Sequence, residues 1–370
     1  MQFRDLNAQY RRLQPEIDEA VKEVLASGKF IMGPQVSQLE EALARYVGVK
    51  HVITCGNGTD ALTLALKAWE IGPGDAVFVA DFTFFASAEV ISLEGATPCF
   101  VDVDERTFNL SPEALRNAID RVLQEGRLTP RAIIAVDLFG LPANYPALRA
   151  IAEEYHLLLL EDGAQGFGGS IRSHRSCSFG DIATTSFFPA KPLGCYGDGG
   201  ALFTDNDEWA DRIRSLRIHG KGSDKYDNVR IGLNSRLDTL QAAILLVKLR
   251  AFEAYELQEV NRVASHYTRR LEEAFTTPYI PEGYGSSWAQ YTLQLPDRTT
   301  RDALQQHLKA AGIPSMIYYP KPMHRQSVFA GLQPDSCPVA ARLSDCVLSL
   351  PMHPYLSPEE IDHICDLILV

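Results

Sequence analysis

The sequence predicts an α/β fold: a large domain with a mostly parallel seven-stranded sheet between helices, and a small C-terminal α+β domain. Three observations predict it. Short apolar runs alternate with helical patterns from residue 51 to residue 204. The runs are rich in Val, Ile, Leu and Phe, as strands covered on both faces require. Beyond residue 236 the pattern changes to one long helical stretch and then a shorter mixture.

The elements follow in order. PEIDEAVKEVLASG, residues 15–28, has Pro where a helix starts and Gly where one stops. GPQVSQLEEALARYVG reads as a second amphipathic helix. Strand HVITC then leads to helix TDALTLALKAW, AVFVA to a helix near ASAEVISLEG, TPCFVDV to SPEALRNAIDRVLQEG, and RAIIAVDLF to YPALRAIAEEY. HLLLLED, TTSFF and GALFT complete the strands. Such β-α alternation implies a parallel sheet between helices. RLDTLQAAILLVKLRAFEAYELQEVNRVASHYTRRLEEAF reads as one helical stretch carrying the chain from the first domain, 1–245, into the second, 246–370. The second domain is expected to hold strands near WAQYTLQL and PSMIYY, a helix at TTRDALQQHLKAAG and a final helix at SPEEIDHICDLIL. YYPKPMHRQ, residues 318–326, suits a rigid loop over a site.

Composition narrows the function. The 370 residues are 46% hydrophobic and 22% charged, an ordinary globular balance. A net charge of −12 without a basic block argues against nucleic-acid binding. The densest basic stretch, Arg212 to Lys225, is either a solvated helix end and loop or a rim that attracts an anionic small molecule. Seven cysteines, an odd number without CxxC or CxxH spacing, argue against a disulfide framework or a zinc site and for a reducing compartment. The N-terminus lacks an apolar signal core, and no apolar run approaches a membrane span. The expectation is a soluble cytoplasmic protein that binds neither metal nor membrane.

Open parallel sheets bind ligands at the carboxyl ends of their strands. Three polar features follow strands here. CGNGTDA, residues 55–61, lets backbone amides and a helix N-terminus converge on an anion, with Thr59 adding a hydroxyl; it is equally an ordinary capped turn. Asp162 ends the run HLLLLED, where a carboxylate costs desolvation unless it meets a cation or a donor. Lys191 stands between Ser186, which ends a strand, and the glycine cluster GDGG. A lysine there either snorkels to water or supplies its amine to chemistry. Together, a phosphate cradle, a buried Asp and a later lysine are what pyridoxal 5'-phosphate needs. The lysine holds the aldehyde, and the Asp keeps the pyridine nitrogen protonated. Phe84 and Phe85, in DFTFFAS, are both candidates to stack on the ring.

These motifs, with SGKFIMGPQVSQLEEALARYVGVKH, FVDVDERTFN, GLNSRLDTLQAAIL, YYPKPMHRQ and LPMHP, resemble the nucleotide-sugar aminotransferases of the fold-type-I pyridoxal phosphate superfamily along essentially the whole chain. The resemblance implies that Lys191 is the Schiff-base lysine and proton shuttle, and that Asp162 pairs the pyridinium nitrogen. It implies that Gln165 contacts the ring hydroxyl, that Gly58, Thr59 and Ser186 hold the phosphate, and that Phe84 stacks on the ring. Asn234 would reach the phosphate of a partner subunit, making an obligate homodimer with shared active sites. The branch it resembles most is the 3-aminotransferases of uronic-acid nucleotide sugars, which implies UDP-2-acetamido-2-deoxy-3-oxo-D-glucuronate as substrate, L-glutamate as donor and surface polysaccharide as destination. A neutral dTDP- or UDP-keto-deoxysugar, and a non-catalytic cofactor-binding regulator, are the alternatives. Arg236 suits a carboxylate through two parallel hydrogen bonds, or is a surface residue at a helix start. His324 is a candidate for sugar or glutamate contact, and Lys29 and Phe30 for the nucleotide pocket. Two positions depart from the family's usual pattern: Gly163 stands where Ala is common, and Asp198 where Glu is common.

Overall fold

The computed structural model describes residues 1–224, 226–332 and 337–370. Two helices, α1 (Leu6–Ser27) and α2 (Pro34–Val47), precede the sheet. The alternation then runs β1 (His51–Cys55), α3 (Gly58–Ala68), β2 (Asp75–Ala80), α4 (Phe85–Leu93), β3 (Thr97–Val101), α5 (Pro112–Glu125), β4 (Thr129–Val136), α6 (Tyr145–Glu154) and β5 (Leu158–Asp162). Short β6 (Ser170–Ile171) and β7 (His174–Arg175) lead to β8 (Ile182–Ser186), β9 (Gly200–Thr204) and α7 (Asp207–Leu216). The C-terminal part holds α8 (Thr239–Ala251), α9 (Leu257–Leu271), β10 (Tyr284–Gly285), β11 (Tyr291–Gln294), α10 (Arg298–Ala310), α11 (Pro338–Cys346), β12 (Val347–Leu350) and α12 (Pro358–Ile368).

The expected seven-stranded sheet is present, in the order β1-β9-β8-β5-β4-β2-β3. Only β9 runs against its neighbours, pairing antiparallel with both β1 and β8. Alternate side chains of each central strand enter opposite cores, the consequence of a two-residue strand period. Phe78 packs under α5 and α6 with Ile133 and Leu159. Val77 and Val79 face the other way, toward α3, α4 and α7 with Ile134 and Leu160. This sandwich of helix, sheet and helix puts every parallel strand's carboxyl end on one edge. The register there pairs Val136 with Asp162, Asp162 with Thr184, and both Ser186 and Cys55 with Gly200.

Several elements differ from the sequence expectation. Pro15 does not start α1 but lies inside it; Asp5 is the cap, accepting a hydrogen bond from Ala8 N at 2.8 Å. Pro15 sits on the exposed face, so the helix passes it with its buried stripe of Leu13 and Ile17 intact. The stretch 236–275 is not one helix: α8 starts at Thr239, and a π-helical turn, Phe252–Glu256, separates it from α9. The packing changes at that turn. Leu249 and Phe252 still join α2 and the sheet edge, whereas Val260, Val263 and Tyr267 join β11, β12 and α12. The change of core therefore lies at the turn after Phe252. α11 packs back on the first core through Ala340 and Leu343.

PSMIYY forms no strand, only a single bridge from Met316 to Ser349. The strand that pairs with β11 is β12, four residues long, which the sequence reading did not anticipate. The basic stretch is largely spent on internal pairs: Arg212 binds Glu70, Arg214 meets Asp211 at 3.0 Å, and Arg217 meets Glu40 at 2.7 Å. Its last residue, Lys225, lies outside the described residues. No described helix is long and apolar enough to cross a membrane.

Candidate active site

Lys191 is carried by a loop that closes on itself. Phe187 N donates to Gly199 O at 2.8 Å, Cys195 N to Phe187 O at 2.7 Å, and Lys191 N to Phe188 O at 2.9 Å. The side chain is half-buried. Burial lowers the pKa of its amine, the Asp162 carboxylate opposes that, and the Arg4 guanidinium adds to it. Asp162 is 5% exposed at the end of β5. Its Oδ2 accepts from Ser87 Oγ at 2.7 Å and its Oδ1 from Ala164 N at 3.2 Å. Burial raises the pKa of this carboxyl; the Ser87 and Ala164 hydrogen bonds and the Lys191 charge pull it down. Lysine and carboxylate thus favour each other's charged forms in a desolvated setting.

Gly58, followed by Thr59 at the start of α3, comes against Ser186 at the end of β8. α3 begins at Gly58, capped by Asn57, whose side chain accepts from Asp60 N at 2.8 Å. The first amides of a helix have no partner within it. A Cβ on Gly58 would stand 2.7 Å from Ser186 Cβ, and one on Gly200 would stand 2.4 Å from Asn57 O. Glycine at both positions lets the helix start settle against the ends of β8 and β9. The cradle therefore offers free amides and the Ser186 hydroxyl to an anion. This fits a phosphate, and the buried carboxylate of Asp162 fits a protonated ring nitrogen; the donor set suits pyridoxal phosphate.

Phe84 and Phe85 separate cleanly. Phe84 is 52% exposed, with its ring 6.1 Å from that of Tyr319. Phe85 packs on Phe329 at 5.6 Å and belongs to the core. Gln165 is buried; its Oε1 accepts from Phe139 N at 2.7 Å and its Nε2 donates to Tyr319 Oη at 2.9 Å. The YYPKPMHRQ loop does lie over the strand ends. Met323 N donates to Asp81 O at 2.8 Å, and His324 is held twice by the buried Asp81, through its backbone N at 2.8 Å and its Nδ1 at 2.6 Å. Burial raises the Asp81 pKa against the pull of His324.

The remaining candidates stand further out. Ser235 Oγ accepts from Gly56 N at 2.9 Å and donates to Asp60 Oδ2 at 2.6 Å, which docks the GLNSR segment on the start of α3. Asn234 itself is exposed, its Oδ1 accepting from Arg236 Nη2 at 2.6 Å. Lys29 and Phe30 are exposed on the segment before α2, where Phe30 O accepts from Thr239 N at 2.9 Å. Among the described residues no hydrogen bond ties Lys29, Phe30, Asn234 or Arg236 to Lys191 or Asp162.

Sequence reasoning missed Ser87, Tyr319 and Arg4. Ser87 had a signal: it lies three residues after Phe84, on the same face of a helix start. Tyr319 lies in the YYPKPMHRQ loop that the sequence places over a site, whereas Arg4 reaches the site only through the tertiary fold.

The sequence profile of the DegT/DnrJ/EryC1/StrS aminotransferase family matches residues 11–369. Among curated proteins, the chain is 45% identical over 368 residues to UDP-2-acetamido-2-deoxy-3-oxo-D-glucuronate aminotransferase of Pseudomonas aeruginosa, covering 99% of this chain and 98% of that one. It is 42% identical to the pleiotropic regulatory protein of Geobacillus stearothermophilus, covering 98% of this chain and 96% of that one. It is 43% identical to UDP-N-acetyl-3-dehydro-alpha-D-glucosamine 3-aminotransferase of Acidithiobacillus ferrooxidans, with the same coverage. Among solved structures, a DegT DnrJ EryC1 StrS aminotransferase from Brucella abortus superposes with a TM-score of 0.97 at 50% identity, over 100% of this chain and 98% of that one. NtdA of Bacillus subtilis with bound cofactor PMP superposes with a TM-score of 0.87 at 28% identity, over 99% of this chain and 82% of that one.

Proposed function

The chain belongs to the DegT/DnrJ/EryC1/StrS aminotransferase family, a family of pyridoxal-phosphate enzymes, and we propose that it aminates the 3-keto group of UDP-2-acetamido-2-deoxy-3-oxo-D-glucuronate with L-glutamate as donor. One arrangement carries the reaction. The Lys191 amine lies in the field of the buried Asp162 carboxylate, at the strand ends where Gly58 and Ser186 adjoin. The 45% identity to the Pseudomonas enzyme along the full chain supports the choice of sugar.

When bound, pyridoxal phosphate supplies a carbonyl that takes the amino group in transit and a ring that accepts the electron pair left at the donor carbon. The protein's residues do the rest. The amides of Gly58 and Thr59 and the hydroxyl of Ser186 bind the phosphate, joined by Asn234 of a second copy. Asp162 holds a proton on the ring nitrogen, and Gln165 donates to the ring hydroxyl. Phe84 covers the ring face and keeps water off it. The Lys191 amine would lift the proton from the donor's Cα and return one to the sugar carbon. Arg236 receives the glutamate side chain in the first half-reaction and the sugar carboxylate in the second. His324, oriented by Asp81, faces the sugar, and Lys29 and Phe30 line the nucleotide side. 2-Oxoglutarate leaves first and the amino sugar second. This reading makes the protein a cytoplasmic homodimer with two shared sites, feeding surface polysaccharide synthesis.

The test is a visible spectrum of the purified protein before and after glutamate, followed by a keto-sugar panel. The cofactor band should convert on glutamate, and the uronate should restore it faster than neutral dTDP- or UDP-keto-deoxysugars. Preference for a neutral sugar would remove the uronate. A cofactor band that ignores glutamate would favour a regulatory role, the reading that the Geobacillus relative's name supports.

A further inference from the structure

The N-terminal segment crosses the molecule before α1 begins, and it is anchored on both sides of Arg4. On one side Phe3 O accepts from Met352 N at 3.0 Å, and the Phe3 ring meets Tyr318 edge-on at 6.2 Å. On the other, Asp5 caps α1. Between these anchors Arg4 Nη2 donates to Lys191 O at 2.9 Å and to Pro192 O at 3.3 Å. One guanidinium NH₂ carries two hydrogens, so both bonds are satisfied at once. The buried carboxylate of Glu256 attracts Arg4 and is itself held by Gln9 Nε2 at 2.8 Å and by the Tyr355 hydroxyl.

The loop needs this support. Pro192 has no N–H to give, and the one amide of Lys191 is already spent inside the turn. Without Arg4 the two carbonyls would be left to a half-buried setting without that donor. The charged groups facing the Lys191 amine are Asp162, from the end of β5, and Arg4, from the N-terminal segment. They act in opposite directions on its proton.

We propose that Arg4 is a positioning residue for transamination: it fixes the loop that carries Lys191 through two backbone carbonyls and sets a cation beside that amine. The proposal rests on the reading that Lys191 holds the cofactor. Arginine suits the task because the planar Nη2 amino group aims its two hydrogens in fixed directions, one at each carbonyl, whereas a lysine ammonium on its flexible stem holds no such geometry.

The test begins with borohydride reduction of the wild-type holoenzyme and peptide mass spectrometry. The pyridoxyl group should be found on Lys191; its presence on another lysine would overturn the underlying reading, and the proposal with it. Two variants then address Arg4. Arg4→Gln keeps a donor and removes the charge; Arg4→Lys keeps the charge and loses the fork. In the apoprotein, the rate of reductive methylation of Lys191 is followed against pH. Arg4→Gln should move the midpoint upward and slow methylation near neutral pH by about threefold or more. Arg4→Lys should leave the midpoint in place. Both should lower kcat by roughly tenfold while the KM for glutamate stays within about twofold, the mark of lost positioning rather than lost binding. If Arg4→Gln shows the wild-type midpoint and kcat, the proposal falls while Lys191 stands. Should Arg4→Gln not fold, an unchanged kcat in Arg4→Lys overturns it instead.

Discussion

Ser87 Oγ donates to Asp162 Oδ2 at 2.7 Å, across 75 residues of sequence. The bond joins the first turn of α4 to the end of β5, two elements on which the proposed site depends. Burial raises the pKa of Asp162, and Ser87 is the strongest of the groups that oppose this. A carboxylate meant to hold a proton on a ring nitrogen must stay charged, so Ser87 acts through Asp162. Thr83 Oγ1 lies 3.2 Å from the same hydroxyl and orients it.

Ser87→Ala should therefore weaken the cofactor without removing any group that touches it. A hydrogen bond to a charged group contributes about 1.5–3 kcal/mol, which is roughly ten- to hundredfold in affinity. Titrating the apoprotein with pyridoxal phosphate by absorbance measures this. Unchanged affinity would mean that Asp162 does not depend on Ser87.

The parts of this site that were legible in the sequence share one property: they interrupt a local pattern. Asp162 ends four leucines, and Lys191 stands alone between aromatics and glycines. Arg4 interrupts nothing: it is placed by packing between distant segments, which no window of sequence displays. Ser87 and Tyr319 lie in stretches that the sequence does mark, DFTFFAS and YYPKPMHRQ, but their bonds to Asp162 and Gln165 join segments far apart in the chain. The same holds for the fold. Strands buried on both faces were readable from apolar runs, whereas β12 is four residues long and PSMIYY keeps only one bridge despite its apolar character. The long helix was read without its π-helical turn, because the buried Glu256 that sits there finds its partners, Gln9 and Tyr355, outside the helix.

Arg236 should discriminate between substrates. Arg236→Ala removes a guanidinium that now donates to Asn234 Oδ1. A charge-assisted bidentate pair is roughly twice as strong as a neutral hydrogen bond, so kcat/KM for the uronate should fall by about a hundredfold. A neutral keto-sugar should lose far less in its own half-reaction, measured by single turnover from the aminated cofactor form. Equal losses for both sugars would take the carboxylate role away from Arg236.

Lys248 sets a pH signature on stability. It is 1% exposed, with Nζ 4.6 Å from the Tyr196 ring centre, and burial lowers its pKa from 10.5 to about 7, against the attraction of Glu256. The folded state then binds fewer protons than the unfolded chain between about pH 7 and 10.5. Stability from this group therefore rises with pH across that window, and below it the cost of burying the charge is fully present. Thermal unfolding of wild type and Lys248→Met should diverge accordingly, the variant having the flatter pH dependence. Parallel curves would show that Lys248 keeps its ordinary pKa in the folded protein.

Gly163, next to Asp162, is held to glycine by its packing. A Cβ at this position would stand 2.8 Å from Cys177 Sγ and 3.0 Å from Thr184 O. Gly163 N also donates to Thr184 O at 2.8 Å, so the backbone next to Asp162 cannot simply retreat. Overpacking of this kind typically costs about 1–3 kcal/mol. Gly163→Ala should therefore lower stability in denaturant unfolding by that order. Cys177→Ala in the same chain should recover part of the loss, because it removes the sulfur and leaves the Cys177 N–H bond to Glu161 in place. The double-mutant cycle isolates the pair: a clear coupling energy says that glycine and cysteine stand here as a matched set. Additive effects would place the strain on Thr184 O instead, and Cys177 would be free of any part in shaping the floor under Asp162.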